Sequence, residues 1–168
     1  MNAAAIHAFM GLPRDPKSWG REGWQVLRND KAFVEVEAGQ EPETTVENWN
    51  RVVGPAWAVT GTTENASPGG YLTTYQCNGR STQALYVGSR DDSLIDVLAL
   101  SAVAKPDLEL RILKDSIGNS DLWYLPLTPG EWADMEARYG AELVSWRFAP
   151  IPATLEAFIK LLAGRHLQ

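Results

Sequence analysis

The chain has one cysteine, Cys77, and two histidines, His7 and His166, both near its ends. That scarcity restricts the fold more than any other feature. One thiol forms no internal disulfide and no cysteine-based zinc site, and two distant histidines complete no other structural metal site. Burial of apolar surface must therefore hold the 168 residues together. A domain of that length buries roughly 70% of its unfolded surface, which suffices without a staple. The length fits one globular domain spanning 1–168, and no repeat, low-complexity run or linker divides it.

Glycine, proline and capping residues mark out the elements. Asn2 is placed to cap a helix through Phe9, which Gly11, Pro13 and Pro16 end. Trp24–Leu27 and Phe33–Val36 read as short strands around an Asn29-Asp30 turn, and 38–43 as a loop. Thr44-x-x-Glu47 has the form of a capping box before Val46, Trp49, Val52 and Val53 at helical spacing, stopped by Gly54-Pro55. Trp57–Thr63, Tyr71–Cys77 and Ser81–Val87 read as an antiparallel meander, the last two joined by the hairpin signal Asn78-Gly79.

The second half is more regular. Asp92 or Ser93 caps a helix closed by Lys105-Pro106, and strands follow at Leu108–Lys114 and Leu122–Leu125. In Thr128-Pro129-Gly130-Glu131 each of Thr, Pro and Glu satisfies or spares an orphan amide, which predicts a helix to Tyr139 ended by Gly140. Glu142–Phe148 reads as a strand and Pro152–Leu162 as a last helix. The expected fold is α+β, with a mixed or mainly antiparallel sheet and helices packed on it. From Gln83 the order is β-α-β-β-α-β-α, the element order of a ferredoxin-like unit.

Lys plus Arg number 15 against 21 for Asp plus Glu, a net charge of −6 that repels nucleic-acid phosphates and anionic membranes. No run approaches the roughly 18 apolar residues of a membrane span. The first ten residues lack a basic leader and a small-residue cleavage pattern, so a cytoplasmic protein is expected. Between Asp30 and Glu47 stand six acids (Asp30, Glu35, Glu37, Glu41, Glu43, Glu47) and one base, Lys31. Such a stretch steers a basic protein partner, or is simply a solvated face.

Motifs of catalysis are thin. A Cys77–histidine pair would have to draw on His7 or His166, and Cys77 reads better as a small hydrophobe at a strand end. Neither Gly-x-Ser-x-Gly nor Ser-x-x-Lys occurs, and the glycines fit no phosphate-binding pattern, so neither a cofactor nor a metal is expected. Asp91, Asp92 and Asp96 cluster at a strand-to-helix junction, where they could serve acid–base chemistry, although helix capping accounts for them.

Seven tryptophans are unusual for this length. Trp49, Trp57 and Trp146 fall at apolar phases and read as core, whereas Trp19, between Ser18 and Gly20, reads as exposed and as a contact residue. In size and charge the chain is similar to bacterial immunity proteins that block basic nuclease or other toxin domains; no motif carries that similarity, and no residue is transferred from it. The expected function is a non-catalytic inhibitor that occludes a toxin or effector with a basic surface through Trp19, Glu35, Glu37, Glu41, Glu43 and Glu47. Two alternatives stand beside it: a small carboxylate-using hydrolase with its site near Asp91 and Asp92, and a phage or bacterial assembly or scaffold component.

Overall fold

The computed structural model describes residues 3–28, 32–65, 69–88 and 91–164. In chain order it contains α1 (Ala3–Met10), α2 (Gly20–Arg28), β1 (Val34–Glu37), α3 (Pro42–Val53), β2 (Thr60–Asn65), β3 (Tyr71–Cys77) and β4 (Arg80–Tyr86). Then follow α4 (Asp92–Ala104), β5 (Glu109–Leu113), β6 (Asp121–Leu127), α5 (Pro129–Tyr139), α6 (Ala141–Arg147), β7 (Phe148–Pro150) and α7 (Leu155–Ala163). One sheet has the order β1-β6-β5-β7 and the other β2-β3-β4. All pairings are antiparallel, so the fold is α+β with helices packed on antiparallel sheets.

The four-stranded sheet is buried on both faces, which is why β6 reads as an almost unbroken apolar run. Strand alternation sends Val34, Val36, Leu110, Ile112 and Tyr124 into one core, with Trp49, Val52 and Val53 of α3, the apolar face of α4, Phe158 of α7 and the inner face of the meander. The residues between them, Leu113, Trp123, Leu125 and Leu127, enter a second core with Ile6, Phe9 and Met10 of α1, Trp132 and Met135 of α5, and Val144 of α6. The two cores are below called the meander side and the N-terminal side.

Local signals account for the elements that form as expected. Asn78 (φ 50°) and Gly79 (φ 76°) make the β3–β4 turn, a backbone that needs positive φ at both positions. Thr128 and Glu131 close a reciprocal capping box on α5, and Thr154 caps α7 by accepting from the Ala157 amide. Helix α3 starts at Pro42 with Glu41 as its cap, two residues before Thr44, so the Thr44–Glu47 box does not form. Trp57 belongs to a 3-10 turn, Pro55–Trp57, and β2 begins only at Thr60.

Two expected strands are helices. Trp24–Leu27 lies within α2, where Trp24 stacks between Trp19 (4.9 Å) and Trp123 (6.0 Å). Gly23 permits that approach, since a Cβ there would stand 2.5 Å from the Cβ of Trp19. The accompanying Asn29-Asp30 turn, like the Asn2 cap, lies outside the described residues. Glu142–Phe148 is mostly α6, whose buried positions are Val144 and Arg147, a spacing of three rather than two. The ferredoxin-like order also fails as a topology: β4 pairs with β3 in the separate meander, and β1 fills the far edge beside β6.

Candidate functional site

A groove of about 730 Å³ opens where the first turns of α3 and α4 meet the ends of β3 and β4. Its walls carry Glu41 and Glu43 from α3, Tyr71 and Tyr86 from the meander, Val87, and Asp92 from α4. One acid at the cap of α3, one in its first turn and one in the first turn of α4 complement the positive ends of the helix dipoles, so their placement follows from helix formation itself. None of the described lining residues is a lysine, arginine or histidine.

Hydrogen bonds fix the walls. Gln40 donates to Thr45 Oγ1 at 2.7 Å and accepts from the Glu37 amide at 3.2 Å, locking the turn between β1 and α3. Thr63 of β2 donates to Glu43 Oε1 at 3.3 Å. On the opposite wall the Gly88 amide donates to Asp92 Oδ2 at 2.9 Å. Tyr71 and Val87 leave 56% and 66% of their surface exposed, an apolar rim on an acidic groove.

Behind Tyr86 lies a buried polar chain. The hydroxyls of Tyr86 and Tyr75 are 2.8 Å apart, and Tyr75 donates to Asp96 Oδ1. Asp96 is 0% exposed, and its Oδ2 has no hydrogen-bond partner. Burial pushes this carboxyl up to about 7, against the opposing pull of the Tyr75 hydroxyl, with Glu43 and Glu41 raising it further and the Thr45 hydroxyl favouring the anion. Burial and the Asp96 charge push the Tyr75 phenol well above its ordinary value. Asp96 is thus a carboxylic acid that holds its proton close to neutral pH.

The expected site residues divide. Glu41 and Glu43 share the groove, and Glu43 and Glu47 flank a smaller cleft of about 210 Å³ that shares Pro42, Glu43 and Thr63 with it. Glu35 and Glu37 alternate with the buried Val34 and Val36, so they project from the opposite face of β1, opposite Trp123 and Asp121. All five glutamates are exposed, but they do not form one patch. Trp19 is a correction: it is 6% exposed, donates its indole N–H to the Pro13 carbonyl at 2.6 Å and packs on Phe9 and Trp24. A short loop between helices conceals it. Trp57 and Trp146 are half-buried rather than core, while Trp49 is fully buried.

The aspartate cluster also separates. Asp91 caps α4 through its carbonyl, which accepts from Leu94 and Ile95, with no side-chain cap bond. Asp92 braces the preceding turn, and Asp96 sits one turn further on, facing the meander. Cys77 is buried on the meander side, where desolvation raises its thiol, whereas His7 belongs to α1 and contacts Tyr139 and Arg138 on the N-terminal side. His166 lies outside the described residues. Among the described residues no three His, Cys, Asp or Glu side chains are placed to hold a metal ion, and no helix is long and apolar enough to cross a membrane. Tyr75, Tyr86 and Thr45 were not singled out by sequence; the available signal was an aspartate at an apolar phase of α4, between Leu94 and Val97.

The chain matches no protein-family model, no curated protein and no solved structure.

Proposed function

We propose that this domain is a non-catalytic, cytoplasmic inhibitor of the bacterial immunity or antitoxin kind, which binds a toxin or effector with a basic surface and acts by covering it. One observation carries the proposal: Glu41 and Glu43 are exposed, converge with Asp92 on a single groove, and are rimmed by exposed Tyr71 and Val87. Charge of one sign focused in a concave site raises the association rate of an oppositely charged partner. An aromatic at the rim supplies a desolvated anchor. Tyr71 takes the role expected of Trp19. Glu35 and Glu37, on the other face of β1, contribute only to the long-range field.

The test uses the partner recovered from the native host at low salt. Glu41→Lys combined with Glu43→Lys lowers kon at least about tenfold and changes koff less, and the wild-type kon falls as salt is added. A kon indifferent to both removes the groove from partner binding.

A second reading is favoured by Asp96, which lies behind Tyr86 of the groove wall. A buried carboxyl that keeps its proton near neutrality beside a cleft has the form of a general acid. A carboxylate-using hydrolase would pair it with Asp92. Turnover of a sugar or nucleotide substrate, abolished by Asp92→Asn or by Asp96→Asn, would establish that use in place of occlusion.

A further inference from the structure

Of the four end strands described in the two sheets, three are guarded and one is not. An end strand offers unpaired backbone N–H and C=O groups to any other strand, and proteins block that approach with charge, proline or a short length. In the four-stranded sheet β1 carries Glu35 and Glu37 between its buried valines, and β7 is three residues long and ends in Pro150. In the meander β2 carries Glu64. β4 has none of these devices. After Arg80, whose guanidinium is taken up by Asp107 and the Val103 carbonyl, it runs Ser81-Thr82-Gln83-Ala84-Leu85-Tyr86 with no charge, no proline and no bulge against β3.

The register shows which backbone groups are open. Asn78 and Gly79 form a two-residue turn, so Cys77 and Arg80 close it as a hydrogen-bonded pair, and every second pair beyond repeats that pattern. Thr82, Ala84 and Tyr86 therefore turn their N–H and C=O towards β3, and Ser81, Gln83 and Leu85 turn theirs away from it. Among the described residues no turn or loop backbone hydrogen-bonds to Ser81, Gln83 or Leu85. The side chains of the same three residues are exposed, Leu85 by 50%. Helix α4, packed against the inner face of β4, adds no barrier. Past Asp96 it has no charged residue, and the positions it leaves partly open beyond its first turn, Ile95, Leu98 and Ala102, lie on one face.

We propose that β4 is a dimerisation edge: two copies of this chain join antiparallel along residues 81–86, making one six-stranded sheet from two meanders. The occupant follows from charge. A basic partner is drawn by acids, and this edge has none. Two chains of net charge −6 repel each other at long range and meet best where neither carries charge. Antiparallel pairing about a two-fold axis lets identical strands satisfy each other's open groups reciprocally, Gln83 facing its counterpart and Ser81 of each copy facing Leu85 of the other. The ends of the joined sheet are then the guarded β2 strands, so assembly stops at two. Ser81, Gln83 and Leu85 do not line the acidic groove, so the pairing is independent of the binding role proposed for that groove.

The test combines sedimentation equilibrium of the full chain with amide hydrogen exchange at low and high protein concentration. The mass is expected to rise with concentration towards twice that of one chain, more readily as salt screens the like charges. In the dimer the amides of Ser81, Gln83 and Leu85 exchange at least about tenfold more slowly, while those of Thr82 and Ala84, already bonded to β3, change little. Gln83→Lys lowers the net negative charge and so eases long-range repulsion, yet it is expected to abolish both the mass increase and the protection, with an unchanged circular dichroism spectrum showing that it folds. Leu85→Lys should do the same. A monomer at every concentration, a dimer in which the three amides exchange freely, or a dimer that survives both substitutions overturns the proposal. So does protection of these amides that appears only with the basic partner, which would make β4 that partner's docking strand.

Discussion

Each side of the four-stranded sheet buries an aspartate, and the two are treated in opposite ways. On the N-terminal side Asp115 and Arg147 are both 0% exposed and meet at 3.0 Å. The guanidinium also donates to the Leu12 and Pro13 carbonyls and lies 4.6 Å over the ring of Phe9. One cation thereby ties α6 to the chain after α1 and to the turn after β5. On the meander side Asp96 has Tyr75, with Tyr86 behind it, a threonine and nearby glutamates, and no cation among the described residues acts on it. In the first arrangement the charge meets its opposite within the chain and serves the fold, although the Arg147 Nε–H has no hydrogen-bond partner. The second is incomplete within the chain, and it lies behind a groove. Burial alone does not separate structure from function; what separates them is whether the buried charge finds its complement inside the molecule.

Mutation can break the contrast from either side. Arg147→Met strips Asp115 of its guanidinium and is expected to lower unfolding stability by about 3–5 kcal/mol in urea titrations at pH 7. Adding Asp115→Leu should recover most of that loss, since an apolar replacement removes the stranded charge. Asp96→Asn acts in the other direction. The folded-state value of Asp96, about 7, stands above its unfolded value of 3.8. The stability tied to its proton is therefore complete below about pH 4 and lost as pH rises through 7. The Asn variant should match the wild type at pH 4 and exceed it by about 2–4 kcal/mol at pH 8. A wild type more stable than the variant at pH 8 would mean that Asp96 has a hidden partner.

Smaller effects sharpen the same comparison. Tyr75→Phe removes the donor to Asp96 Oδ1 and is expected to cost about 1 kcal/mol. It should also push the Asp96 midpoint higher, because the hydroxyl favours the anion. Thr128→Ala, on the N-terminal side, opens the α5 capping box at a cost of about 1 kcal/mol with no pH dependence between 6 and 8. A pH-dependent loss there would show that titration is not confined to the meander side.

What could be read in the sequence was what is decided locally. The Asn78-Gly79 turn, the Thr128 capping box and the alternation of Leu108–Ile112 each rest on neighbours within a few residues, and the structure forms all three. The pattern of α2 and α6 misleads because each buries a residue that does not look apolar beside its apolar ones, Leu27 in α2 and Val144 in α6. Arg147 occupies a buried position of α6, and Gly23 of α2 matters only through its contact with Trp19. The same blindness covers the site. Asp91, Asp92 and Asp96 look like one acidic helix start, and only the packing of α4 against the meander shows that the third points the other way. The hairpin register places Tyr75 and Tyr86 on one face of the meander, but that their hydroxyls meet Asp96 depends on contacts remote in sequence.

The account turns on Asp96 being a buried acid with no cation beside it among the described residues. Following its carboxyl carbon by 13C NMR from pH 3 to pH 9, with Asp96→Asn assigning the signal, tests this directly. A midpoint near 7 is predicted. A midpoint in the ordinary carboxylate range near 4 would mean that the charge is already balanced inside the protein, and the contrast between the two sides of the sheet would disappear.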